Sequence, residues 1–138
     1  LDFKSHRKNL IITPHEGVAT SLLTANKISS KKNRQTMAKK LFDLYPGTVV
    51  LKGKETIVYD GGSFSICPAG NPGMAVGGMG DVLSGMISGY LAQGLSSKEA
   101  SILGVFHHAV ACDSLQENYG QRSLRPSILL DHLVDLEL

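Results

Sequence analysis

The sequence predicts an α/β fold with helices packed in layers on a sheet, and three observations carry that expectation. Short β-branched apolar runs alternate with segments whose apolar residues recur at helical spacing. A glycine-rich stretch separates the last strand-like run from a long apolar helical segment, and Pro, Gly and Asp-Gly steps punctuate the joins. With 138 residues, 42% of them hydrophobic, there is material for one domain with a real core but not for two.

Asn9 to Thr13 (NLIIT) is a short apolar run closed by Pro14, as for a buried strand that delivers its end into a loop carrying His15. From Asn33 to Tyr45, Met37, Leu41, Leu44 and Tyr45 recur at helical spacing until Pro46-Gly47, which predicts an amphipathic helix. Thr48 to Leu51 (TVVL) reads as a strand. Lys52-Gly53-Lys54 turns into a second strand, Thr56 to Tyr59, which Asp60-Gly61-Gly62 ends, and Phe64 to Ile66 adds a short third run.

Beyond Cys67 the character changes. Pro68 to Gly80 holds five glycines and two prolines in thirteen residues. In the helix that follows, Val82/Leu83, Met86/Ile87 and Tyr90/Leu91 repeat every four residues, while Ser84, Gly85, Ser88 and Gly89 form a small-residue stripe that permits close backbone approach. Gly94 ends it, Ser96 or Ser97 can cap the next helix, and Lys98 to Leu115 carries few charges, as a mostly buried helix does. A final amphipathic segment, Ser127 to Leu136, follows Pro126. The strands are few for a complete sheet.

Charge is unevenly spread: Leu1 to Lys54 carries eleven Lys/Arg against three acids, whereas Glu55 to Leu138 carries three against nine. A basic half invites an anionic partner. Lys27, Lys31, Lys32, Arg34, Lys39 and Lys40 are nonetheless spread around a helical segment without interleaved aromatics. Solvated helix surface is therefore the first reading, a phosphate-rich small molecule the second, and nucleic acid the last. No run approaches the ~20 apolar residues of a membrane span, and the first residues lack a signal-peptide layout, so a cytoplasmic location without membrane association is expected. Cys67 and Cys112, 45 positions apart, read as reduced packing residues, and no metal site is indicated.

Gly77-Gly78-Met79-Gly80-Asp81 places backbone without side chains where a helix begins. The amides of Gly78, Met79 and Gly80 can then converge on one anion, with about half a positive charge from the helix dipole behind them. Asp81 has two readings at this point: a first-turn acid stabilising the dipole by ~0.3–1 kcal/mol, or a general base beside a phosphate site. As a base it would accept a proton from a substrate hydroxyl during phosphoryl transfer or elimination. Neither GxxxxGK[ST] nor GxGxxG occurs.

Three segments together resemble the ADP/ATP-dependent NAD(P)H-hydrate dehydratases of the ribokinase-like superfamily: Ile12 to Gly17 (ITPHEG), Val49 to Thr56 (VVLKGKET), and Asn71 to Ala75 (NPGMA) continuing through Gly78 to Gly85 (GMGDVLSG). Leu91 to Gly94 and the His108 helix also fit. The resemblance implies a layered α/β/α fold and nucleotide-driven loss of water from hydrated NADH or NADPH. It assigns proton acceptance and substrate contact to Asp81, nucleotide binding to Lys52, Gly53, Lys54, Glu55, Thr56 and Gly80, and a substrate contact to His15. ADP or ATP as co-substrate, Mg2+ with the nucleotide, and a homo-oligomer are also implied.

The plainer readings stand beside these. His15 can simply order its loop, Lys52 and Lys54 can be solvated hairpin ends, and His107 and His108 read as packed core residues. Val18 stands where the family usually has Glu, and Arg125-Pro126-Ser127 replaces a small-residue-then-Asp step. Ribokinase-like enzymes need roughly twice this length, and the matched motifs belong to their C-terminal half. The chain is thus expected to be the C-terminal part of a single domain whose N-terminal half is its partner. The alternatives in function are a small-molecule kinase of the same superfamily and a non-catalytic nucleotide-binding fragment.

Overall fold

A computed structural model of the chain describes residues 10–30 and 33–135. The strands are β1 (Ile11–Ile12), β2 (Thr48–Leu51), β3 (Ile57–Tyr59) and β4 (Phe64–Ile66). The helices are α1 (Glu16–Ala25), α2 (Arg34–Leu44), α3 (Met79–Ala92), α4 (Ser97–Tyr119) and α5 (Pro126–Asp135), with single 3-10 turns at Pro72–Met74 and Gln121–Ser123. Asn9, Lys31, Lys32 and Leu136 lie outside the described residues.

The sheet order is β1-β2-β3-β4; β1 runs parallel to β2, and the other two pairings are antiparallel hairpin neighbours. All four residues of β2 are buried, and their period of two divides the core. Val49 and Leu51 join Leu23, Ala38 and Leu41 beneath α1 and α2. Val50 instead joins Val58, Leu83, Ile87 and Ala109 beneath α3 and α4. Helices thus cover both faces, and a strand covered on both sides reads as a continuous apolar run. A third cluster packs Met79, Val82, Cys112, Leu115 and Leu129 between α3, α4 and α5.

Helix ends follow the local chemistry. The Asn33 side chain accepts the Thr36 amide to cap α2, and Ser96 with Glu99 forms a capping box on α4. Helix α1 is an element that the apolar periodicity did not flag. Its sequence, EGVATSLLTA, carries Gly and Val in the first turn, and its cap is His15 rather than Ser, Thr, Asp or Asn. The small-residue stripe of α3 also behaves differently from expectation: a Cβ on Gly85 or Gly89 would meet nothing within 4 Å. The close helix approach falls instead on Gly104 of α4, where a Cβ would stand 2.6 Å from Ile87 Cγ1. Among the described residues no helix is long and apolar enough to cross a membrane.

Candidate functional site

The site is built where β1, β2 and α3 meet. The chain runs on from β1 to Pro14, whose carbonyl accepts the Lys52 amide at 2.9 Å, and His15 forms a parallel bridge to Lys52. The two chain ends thereby leave the sheet side by side. His15 Nδ1 accepts from the Gly17 and Val18 amides at 3.1 and 3.3 Å, so a neutral ring carries its proton on Nε2. Gly17 makes room for the ring, since a Cβ there would lie 3.0 Å from His15 Cε1. His15 therefore does order its loop, while Nε2 remains a donor on an exposed residue.

Helix α3 opens on Gly78 at φ +89°, a left-handed conformation that glycine takes without penalty. No side chain caps this end. The Met79 amide reaches the Val76 carbonyl, and those of Asp81 and Val82 return to the Gly78 carbonyl. Of the three amides expected to receive an anion, Met79's is thus already directed within the chain, whereas those of Gly78 and Gly80 have no protein partner among the described residues. Asp81 is exposed in the first turn, and its carboxylate likewise has no such partner.

Lys52 supplies the cation. Its Nζ lies 2.5 Å from where a Cβ on Gly80 would stand, so the missing side chain at Gly80 is the space the ammonium occupies. Three positive features converge there: free amides, the helix dipole and Lys52. Thr13 Oγ1, 3.5 Å from Ser84 Oγ, ties the end of β1 to the same helix. Beside it, Ile12, Thr13, Pro14, His15, Val18, Leu22 and Lys52 line an open hollow of about 290 Å³.

The glycine-rich stretch is pinned from α4. Asp113 accepts from the Gly70 amide and from Asn71 Nδ2, both at 2.8 Å, and Asn71 Oδ1 in turn accepts from the Gly73 amide at 3.0 Å. Pro126, the first residue of α5, packs on Gly78, where a Cβ would come within 2.9 Å of it. The Arg125-Pro126-Ser127 departure thus falls against the N-cap of α3. Beneath the loop, His108 is buried and its Nε2 has no partner among the described residues. Desolvation, and then the Lys52 charge, push its pKa down to about 4 against the opposing influence of the nearby Met79 backbone. His107, by contrast, shares a hydrogen bond with the Tyr90 hydroxyl.

The turn from Lys52 to Thr56 is shaped from below. The side chains of Lys54 and Glu55 are exposed; their carbonyls are held, both by Arg34 Nη1. Arg34, expected among the solvated helix cations, is instead turned onto this backbone. A signal was nevertheless present: Arg34 is the first residue of α2, where the helix dipole disfavours a cation, so its charge must be used elsewhere. Lys40 Nζ donates to the Ser29 carbonyl and Lys39 lies over the Phe64 ring, so these members of the basic half are engaged within the fold. Asp113, whose carboxylate organises the loop, had no sequence signal beyond its place on a buried helix.

Fold and site together define part of a layered α/β domain that can receive an anion at the start of a helix. A family model described as NAD(P)H-hydrate dehydratase matches residues 1–134, and the chain belongs to that family. It is 44% identical over 130 residues to the bifunctional NAD(P)H-hydrate repair enzyme Nnr of Coxiella burnetii, an alignment covering 94% of this chain and 27% of that protein. Among solved structures, it resembles the ADP/ATP-dependent NAD(P)H-hydrate dehydratase of Bacillus subtilis, co-crystallised with ATP and Mg2+. The TM-score is 0.79 and the identity 30%, over 91% of this chain and 46% of that one. A ribokinase-like superfamily protein of Enterococcus faecalis matches with TM-score 0.69 and 26% identity, over 93% and 46% of the two chains. The fold is therefore ribokinase-like, and the chain spans about half the length of these solved structures and about a quarter of that curated relative.

Proposed function

We propose that this chain is the C-terminal half of a nucleotide-dependent NAD(P)H-hydrate dehydratase domain and carries its nucleotide contacts and its proton acceptor. The observation that carries the reading is the meeting of Lys52 with Gly80 at the start of α3, next to the exposed Asp81. The name of the Bacillus subtilis relative and its co-crystallisation with ATP and Mg2+ support the choice of nucleotide.

In this reading the Gly78 and Gly80 amides and Lys52 hold the terminal phosphates, and the Lys52–Thr56 turn holds the rest of the nucleotide. The hydrated nicotinamide lies in the hollow near His15, with its ring hydroxyl at Asp81. The carboxylate accepts the hydroxyl proton as the hydroxyl oxygen bonds to the terminal phosphorus and the shortened nucleotide leaves. Cleavage of the carbon–oxygen bond then releases phosphate, and loss of a proton from the neighbouring carbon restores the double bond. Per turnover, one nucleotide and one hydrated cofactor give the dihydronicotinamide, a shorter nucleotide, orthophosphate and a proton.

The donor set fits a magnesium ion carried mainly by phosphate oxygens: Asp81 is the carboxylate beside the loop, and the described residues hold no group of three ligands. Such an ion would offset phosphate charge as the amides and Lys52 do. The remaining half of the domain completes the sheet at β1, whose outer edge is unpaired among the described residues and which borders the open hollow.

The test uses the whole protein with hydrated NADH, magnesium and ADP or ATP. We expect recovery of dihydronicotinamide absorbance with stoichiometric orthophosphate. Accumulation of a stable phosphorylated product without that recovery would instead mark a superfamily kinase.

A further inference from the structure

The turn from Lys52 to Thr56 is held in an unusual shape by one side chain. Arg34 Nη1 donates to the carbonyls of Lys54 and Glu55 at 2.5 and 2.8 Å, and Nη2 donates to the carbonyl of Leu51 at 3.1 Å. Arg34 Nε lies 2.6 Å from Glu16 Oε1, an ion pair whose N–H is not aligned for a hydrogen bond. The guanidinium also presses on Gly53, where a Cβ would stand 2.6 Å from Nη2. Glu55 sits at φ +58°, the left-handed region that a residue with a Cβ enters at a cost.

Because a trans peptide sets its N–H opposite its C=O, the peptides whose carbonyls turn toward Arg34 turn their amides away from it. Those amides belong to Lys52, which donates to the Pro14 carbonyl, and to Glu55 and Thr56, neither of which has a protein partner among the described residues. A left-handed residue in such a turn is the backbone shape that gathers successive amides into an acceptor-binding cup.

We infer that Arg34 is a positioning residue: by gathering the Leu51, Lys54 and Glu55 carbonyls it presents the Glu55 and Thr56 amides as a paired donor to an acceptor atom of the nucleotide. The inference rests on reading this turn as the nucleotide site. Its ion pair to Glu16, one residue past His15, joins that turn to the substrate side of the site. Arg34 acts here through the backbone of the turn, donating three of its five N–H groups to carbonyls while Nε faces Glu16. A lysine could not replace it, because a single ammonium lacks the planar fork that reaches all of these groups.

The whole protein, with Arg34→Lys, Arg34→Gln and Glu16→Gln, is titrated with ADP while kcat at saturating nucleotide and the melting temperature are followed. We expect both Arg34 variants to raise the Kd for ADP by about tenfold or more with kcat within about threefold, and Glu16→Gln, which leaves the guanidinium in place, to raise Kd by about threefold. An unchanged Kd in Arg34→Lys overturns the inference. A loss of kcat and melting temperature in parallel with Kd in both Arg34 variants, with Glu16→Gln unchanged, also overturns it and leaves a purely structural arginine. Wild-type protein that fails to bind ADP overturns the nucleotide reading of the turn itself, which separates that failure from this one.

Discussion

His108 shows how one buried side chain records the electrostatics of the site above it. Burial and the Lys52 charge hold the imidazole neutral down to about pH 4, whereas in the unfolded chain it titrates near its ordinary value of 6.5. The folded pKa is the lower one, so between these values the unfolded chain binds the extra proton and stability falls as pH falls. Asp60 acts in a different window. Amides of Ser63 and Gly62, together with Lys98, hold its carboxyl down to about 2, so its contribution is present above 3.8 and is lost as pH falls toward 2. Thermal unfolding from pH 7 to pH 4.5 should therefore show a declining melting temperature, and His108→Leu should flatten that slope while leaving the loss at lower pH. An equal slope in the variant would show that His108 is not the group responsible.

At the scale of elements, the start of α3 separates two uses of glycine. Gly78 is required by its backbone, at φ +89° and against Pro126, so Gly78→Ala should cost about 1–2 kcal/mol of stability. Gly80 has ordinary helical backbone, and a methyl there meets only the flexible end of Lys52. Gly80→Ala should thus melt within a few degrees of wild type yet bind ADP about tenfold more weakly, because the ammonium is displaced from the proposed anion site. Calorimetry of both variants checks the contrast; equal losses of stability and affinity in the two would contradict it.

The same elements mark how far the sequence could be read. The TVVL strand, the hairpin after it and the helix after the glycine run were legible because burial on both faces and helical spacing leave direct traces in composition. Helix α1 was not, because a histidine supplies its cap and a glycine stands in its first turn. Nor were the roles of Arg34 and Asp113, since both act on backbone groups 17 to 43 residues away, and no local pattern encodes such a partner. The glycine loop was legible as the start of a helix, but the folded chain changes which groups are available there: Met79's amide is already directed to Val76, and Lys52 comes over Gly80.

For the whole molecule, the layered arrangement explains why distant segments share one site. A parallel β1-β2 pair delivers His15 and Lys52 to the same end of the sheet, and α3 packs on the sheet face that Val50 and Val58 line. Its N-terminus therefore arrives at Lys52, leaving Asp81 exposed in the first turn. The central claim is that Asp81 accepts the proton while Lys52 and the loop hold the nucleotide. It is tested most directly by Asp81→Asn in the whole protein, assayed for NADH-hydrate repair and for ADP binding side by side. The account predicts repair slowed by about 100-fold or more with the Kd for ADP within about threefold of wild type. Repair within threefold of wild type would contradict it.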